Sequence, residues 1–228
     1  MLIEYLTWDS SFFKEKVYQI SSVESHTELY EALSRISQKC MIYVFSQCKL
    51  KNLTPLITKV TYEQKLKYQT QSSLSSFDYE IEACYDQKPS KELYSLALQS
   101  GLHSRFNRDP KISKHRFSKL YQLWLDKCLS RKIADQVYVA TEKNNQVGLV
   151  SVQNKLDHCK IGLISVDAAN QGKGVGTSLI NAVFCYAWQE KIPKVQVVTQ
   201  KQNTNACRFY EKNGFQSIKE EFVYHLHL

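Results

Sequence analysis

The stretch Ile161–Ile180, IGLISVDAANQGKGVGTSLI, constrains this chain more than any other. Ile161–Val166 is a β-branched apolar run of the kind that forms a buried strand. Asp167–Asn170 is a turn cluster, after which Gly172, Gly174 and Gly176 alternate with Lys173 and Val175. From there Val175, Leu179, Val183 and Tyr186 recur at helical spacing, so the stretch reads strand, glycine-rich loop, helix. A backbone without Cβ atoms can turn sharply and be approached closely. Its N–H groups open a helix whose positive end attracts phosphate. The chain holds 7 glycines in all, so their concentration here points to a ligand rather than a bare turn.

Two familiar phosphate loops are excluded by spacing. A P-loop needs Ser or Thr after its lysine, and Gly174 follows Lys173; a Rossmann fingerprint needs a glycine three residues after Gly174, and Thr177 stands there. What remains is Q-x-x-G-x-G on Gln171, Gly174 and Gly176.

Composition bounds the rest. At 228 residues the chain suits one large domain or two small ones with a real core. No apolar stretch approaches a membrane-spanning length, and MLIEYLTWDSSFF has an early acid and no basic leader, so neither a membrane anchor nor a signal peptide is expected. The 7 cysteines include no C-x-x-C pair, which argues against a disulfide framework and a structural zinc site; no metal and a reducing cytoplasm are expected. The net charge of +8 is unevenly spread. Between Gly101 and Leu120, Arg105, Arg108, Lys111, Lys114, Arg116 and Lys119 face only Asp109. Such a patch suits a small polyphosphate or a solvated face equally, and no nucleic-acid-binding module accompanies it.

In order, Leu2–Ile20 reads as two strands around a turn at Asp9–Ser11. His26–Lys39 reads as a helix with Thr27 as its cap, Met41–Phe45 as a strand, and Thr54–Pro55 as a helix start. Thr61–Gln71 alternates as a strand, which makes this half a layered α/β unit. Serine-rich Ser72–Ser76 is the expected boundary between a small N-terminal α/β domain, 1–75, and a second domain, 76–228. There, Tyr79–Ala83 reads as a strand, Pro89–Ser90 starts a helix and a second helix runs from about Phe117 to Leu129. Strands follow at Val137–Thr141, Val147–Gln153 and His158–Val166, with a hairpin turn at Lys143–Gln146. Lys194–Gln200 is a strand, Asn203 caps a helix that Gly214 ends, and two strands close the chain.

This order, with VDAANQGKGVGTSL followed by NTNACRFYEKNGF, resembles the GNAT superfamily of acetyltransferases from about Asp78 onward. The resemblance implies a mixed-sheet α/β fold and acetyl-CoA as cosubstrate. Ile164, Ser165 and Val166 would then hold the pantetheine arm, with the Val166 N–H facing the thioester oxygen. Gln171, Gly172, Lys173, Gly174, Val175, Gly176 and Thr177 would hold the pyrophosphate. Asn203 and Ala206 occupy family positions near the cofactor, although helix capping accounts for Asn203 as well. Tyr210 would protonate the departing thiolate, although an aromatic packing role is the alternative. Ala168 departs from the family, where proline is common. The general base stays open among His103, Glu80, Glu82, Asp167 and a water chain.

A narrower resemblance rests on LTWDSSFF, HSRF and VVTQKQNT, strings similar to those of the dTDP-fucosamine acetyltransferases, which also carry a small N-terminal domain. It implies a nucleotide-linked amino sugar as acceptor, held by His103, Arg105 and Arg108, and a possible homodimer. A GNAT enzyme acting on a protein, peptide or small amine is the alternative, and a non-catalytic CoA- or nucleic-acid-binding module is a third reading. Neither nucleic acid nor membrane is expected as a partner.

Overall fold

The computed structural model describes residues 1–36, 38–66, 79–85 and 88–228. The first segment folds as β1 (Leu2–Tyr5), α1 (Thr7–Phe13), β2 (Lys16–Val23), α2 (His26–Ser34), β3 (Cys40–Ser46) and β4 (Ile57–Lys65). The second folds as β5 (Glu80–Ala83), α3 (Lys91–Ser100), α4 (Arg105–Arg108), α5 (Lys114–Leu129), β6 (Gln136–Glu142), β7 (Asn145–Asn154), β8 (Cys159–Val166), α6 (Val175–Gln189), β9 (Lys194–Gln200), α7 (Thr204–Lys212) and β10 (Gln216–His227).

All ten strands join one mixed sheet in the order β1-β2-β3-β10-β4-β9-β8-β7-β6-β5. The C-terminal strand β10 thus lies between β3 and β4 of the first segment and is antiparallel to both. The α/β fold class expected from the sequence is the one observed. The expected boundary, Ser72–Ser76, lies outside the described residues.

Strand alternation sorts the core into two faces. Met41, Tyr43 and Phe45 of β3 point to one face, with Leu149, Leu163 and Val223, beneath α1, α3, α4 and α5. Ile42 and Val44 point to the other, beneath α2. On that second face, α6 and α7 cover Val60, Tyr62, Val195 and Val197. β3 is buried along its whole length because helices cover both its faces.

Several local expectations are corrected. Asp9–Ser11 is inside a helix, α1, because the Ser10 hydroxyl bonds the Leu6 carbonyl (2.7 Å) and accepts the Val17 N–H (2.9 Å), pinning the helix to β2. α2 is capped by Ser25, which accepts the Glu28 N–H, rather than by Thr27. No helix starts at Thr54–Pro55; the chain enters β4, which is held by both β10 and β9. The strand expected over Thr61–Gln71 starts earlier, at Ile57, and ends at Lys65; residues 67–71 lie outside the described residues. The two expected closing strands are one, β10, with an irregularity between Ser217 and Lys219. The β6–β7 turn agrees with expectation: Lys143 and Asn144 both have positive φ (49° and 68°), the geometry of a two-residue hairpin loop.

Candidate functional site

The site begins with a strand pair that stops pairing. β8 and β9 are parallel, yet their register runs only from Cys159↔Val195 to Ile161↔Val197. Beyond Ile161, β8 stays bonded to β7 on one side, with Leu149 opposite Ser165 and Gly148 opposite Val166. β9 stays bonded to β4 as far as Gln200 opposite Lys59. The two strands therefore diverge and leave one edge of Gly162–Val166 open.

Which backbone groups face that opening follows from the ladder's alternation. The Asp167 N–H donates to the Val147 carbonyl (2.8 Å), so residues 167 and 165 bond towards β7. Ile164 and Val166 therefore turn their N–H and C=O groups towards the open edge. These are two of the three β8 residues singled out from the sequence. The third, Ser165, has its backbone spent on Leu149 and is itself buried. The open Val166 carbonyl accepts two side-chain amides, Gln99 Nε2 (2.9 Å) from α3 and Gln171 Nε2 (3.1 Å) from the glycine loop.

That loop leaves β8 through a 3-10 turn at Ala168–Asn170, where the Asp167 carboxylate accepts the Ala169 N–H (3.0 Å). Gly172 has φ +78° and Gly174, the residue before α6, has φ +94°, a region closed to most side chains. Ser178 N–H is bonded to the Gly174 carbonyl, so the N–H groups of Val175, Gly176 and Thr177 precede the helical ladder and face outward. Gly176 serves packing: a Cβ there would stand 3.0 Å from the Phe209 ring of α7. Gln171, Gly172, Lys173, Gly174 and Thr177 are exposed, and Val175 anchors the helix beneath. The Tyr79 hydroxyl, which sequence reasoning missed, donates to the Lys173 carbonyl (3.0 Å).

α7 lies on the same sheet face as α6. The Asn203 side chain accepts the Ala206 N–H (3.3 Å), so it caps the helix, and Ala206 is half-buried in the first turn. Tyr210 is 4% exposed, with its ring centroid 5.8 Å from those of Tyr62 and Phe215. Burial pushes its phenol pKa up, so the hydroxyl is a protonated donor at neutral pH.

The basic connection is divided by the structure. Arg108, Lys111, Lys114 and Arg116 are exposed. Arg105 is not: its guanidinium carbon lies 4.3 Å from the Tyr43 ring centroid, 4.6 Å from Phe106 and 5.2 Å from Phe45. Its Nε is buried with no hydrogen-bond partner among the described residues. Burial lowers its pKa, against the opposing pull of Tyr43 and Asp9. His103 is half-buried, with Nδ1 unpartnered among the described residues.

The one acid of this connection is locked to the C-terminal strand. Asp109 Oδ2 lies 2.7 Å from His225 Nδ1 and 2.9 Å from His227 Nε2, while Oδ1 accepts the Lys111 N–H (2.9 Å). Although burial opposes it, these hydrogen bonds hold the carboxyl at about 2, and burial pushes His225 down to about 4. Three hydrogen bonds thereby hold the carboxylate, so the cluster works as a pin between the α4–α5 connection and β10. The sequence offered one signal of it, two histidines two apart on an alternating strand and so on one face.

Three comparisons bear on this geometry. Residues 134–217 match the family model described as acetyltransferase (GNAT) domain. The chain is 27% identical over 131 residues to the spore coat polysaccharide biosynthesis protein SpsD of Bacillus subtilis, covering 58% of this chain and 45% of that one. It is 29% identical over 105 residues to the protein named uncharacterized N-acetyltransferase MJ1207 of Methanocaldococcus jannaschii, covering 43% of this chain and 46% of that one. It thus spans about half the length of these curated relatives. Among solved structures, a tandem GNAT protein from the clavulanic acid biosynthesis pathway superposes with a TM-score of 0.60 at 12% identity, covering 92% of this chain and 75% of that chain. That likeness extends the shared fold across both segments.

Proposed function

We propose, from the match of residues 134–217 to the GNAT acetyltransferase domain, that this protein is an acetyl-CoA-dependent N-acetyltransferase. The observation that carries the reading is the open edge of β8 leading directly into the glycine loop. The edge offers N–H and C=O groups to the amide-bearing pantetheine arm. The Val175, Gly176 and Thr177 N–H groups, with Lys173 beside them, receive the pyrophosphate. The exposed Thr177 hydroxyl adds a donor there, and Gly172 and Gly174 supply the turn. A Val166 N–H aimed at the thioester oxygen stabilises the charge that develops as the amine adds. Departing thiolate takes a proton from Tyr210, and the proton that the amine loses as the amide forms restores the phenol, so no net charge is left in the buried site. Tyr210→Phe tests this: turnover falls by roughly 10²–10⁴ with acetyl-CoA affinity unchanged, whereas unchanged turnover assigns Tyr210 to packing alone.

The acceptor in this reading carries an anionic group, and a nucleotide-linked amino sugar fits it. Arg105 supports this, being a guanidinium held by three aromatic rings and paired with no carboxylate among the described residues. Continuing the Ile161↔Val197 register puts Val166 level with Ile57 of β4, and Ile57 is paired through Val223 to Phe45, beneath Arg105. Four strand spacings separate β8 from β3, about 19 Å, so amine and anion must be well separated along the acceptor. Half-buried His103 and exposed Arg108 flank Arg105 and would meet the same group. The relation to a spore coat polysaccharide biosynthesis protein accords with a sugar acceptor. All seven cysteines are free, as suits a reducing cytoplasm, and no described helix is long and apolar enough to cross a membrane.

The test is thiol release from acetyl-CoA across nucleotide amino sugars, peptides and free amines. The reading predicts release with the nucleotide sugars above the others. A preference for peptides would move the acceptor class, and release with none would remove the enzymatic reading.

A further inference from the structure

The two side-chain amides on the Val166 carbonyl have no part in the reading so far. An antiparallel edge strand normally presents both signs of partial charge, a donor and an acceptor at each outward residue. At Val166 the acceptor is already occupied. Gln99 Nε2, from the last turn of α3, and Gln171 Nε2, from the first residue after the 3-10 turn, both donate to that oxygen. The orientation of the amides is dictated by their partner, because an amide oxygen turned towards a carbonyl oxygen would be repelled. The carbonyl therefore has two donors, one for each lone pair.

We propose that Gln99 is a positioning residue for the acetyl group: with Gln171 it caps the Val166 carbonyl, so that the open edge offers the thioester oxygen only an N–H. The inference rests on the acetyl-CoA reading given above. Its physical basis is short-range electrostatics. An uncapped carbonyl oxygen beside the Val166 N–H would set a negative partial charge next to the oxygen on which charge develops, and would draw water into the opening. The capping amides offset that charge. They also tie α3 to the end of β8, which holds β8 where β9 has already left it. Gln99 comes from the face that carries Arg105 and Gln171 from the cofactor loop, so the cap links the acceptor side of the sheet to the cofactor side.

The experiment is calorimetric titration of the full chain with acetyl-CoA and, separately, with CoA, which lacks the acetyl carbonyl. Gln99→Met removes the donor at similar volume, and Gln99→Glu keeps the length but sets a carboxylate against the carbonyl. The expected result is an acetyl-CoA affinity reduced roughly tenfold in Gln99→Glu and less in Gln99→Met, with CoA affinity within about twofold of wild type in both. Equal weakening of both ligands would make Gln99 a structural strut and overturn the proposal, as would unchanged affinity for both. A wild-type protein that binds neither ligand would instead remove the acetyl-CoA reading on which the proposal stands.

Discussion

The glycine loop and the basic connection both look, in sequence, like places for phosphate, and the structure treats them differently. The loop recruits backbone: Gly172 and Gly174 hold positive φ, and the N–H groups that follow have nothing to bond within the helix. The connection depends on side chains, and packing has redistributed them. Arg105 is drawn under three aromatic rings, Asp109 is locked to His225 and His227, and the other cations are left in solvent. A charge count therefore overstates the connection as a ligand site. A glycine count reads the loop well, because backbone conformation is what glycine specifies.

The largest effect expected on this contrast is structural. Asp109→Ala leaves His225 and His227 without their shared acceptor in a buried seam. Two buried donors then lack an acceptor, so stability should fall by roughly 2–4 kcal/mol, measured by urea unfolding. A loss below about 1 kcal/mol would show the pin to be incidental.

Next in size is the acceptor effect of Arg105→Gln, which should raise acceptor KM about tenfold, as loss of one charged hydrogen bond does. Acetyl-CoA KM should not move, because Arg105 lies on the opposite sheet face from α6. Equal changes in both constants would mean that the aromatic seat of Arg105 is structural, and the contrast between loop and connection would become complete.

A smaller effect is expected from pH. His225 has its pKa lowered from 6.5 to about 4, first by burial and then by the charge of Arg105, with the Asp109 hydrogen bond opposing. Between those values the unfolded chain binds a proton that the folded chain does not, so stability rises with pH across the window. Melting temperature should thus drop as pH falls from about 6.5 towards 4. Asp109, held at about 2, adds loss only below its unfolded value. A flat melting profile between pH 7 and pH 4.5 would contradict the buried neutral imidazole.

What was legible follows the same division. β8, the glycine loop, α6, β9 and the Asn203–Gly214 helix could be read because their signals are local: apolar runs, glycines and a cap. Thr54–Pro55 misled because proline fits a helix start locally, whereas the pairing of β4 with β10 and β9 is decided by residues more than a hundred positions away. Asp9–Ser11 misled because Ser10 is a helix pin only once β2 is beside it. The open edge at Val166 has no residue signature. It arises where the register of β8 and β9 ends, and Gln99 is recruited from another helix to complete it.

The central claim, that the loop and open edge form an acetyl-CoA site, is met most directly by titrating acetyl-CoA into wild type and Gly174→Val. Valine cannot hold φ +94° without strain, and its branched Cβ would reshape the turn that aims the helix N–H groups. The account predicts wild-type binding in the micromolar to millimolar range usual for such cosubstrates, and affinity at least about 100-fold weaker in the variant. Equal affinity in the two proteins, or no binding by the wild type, would contradict it.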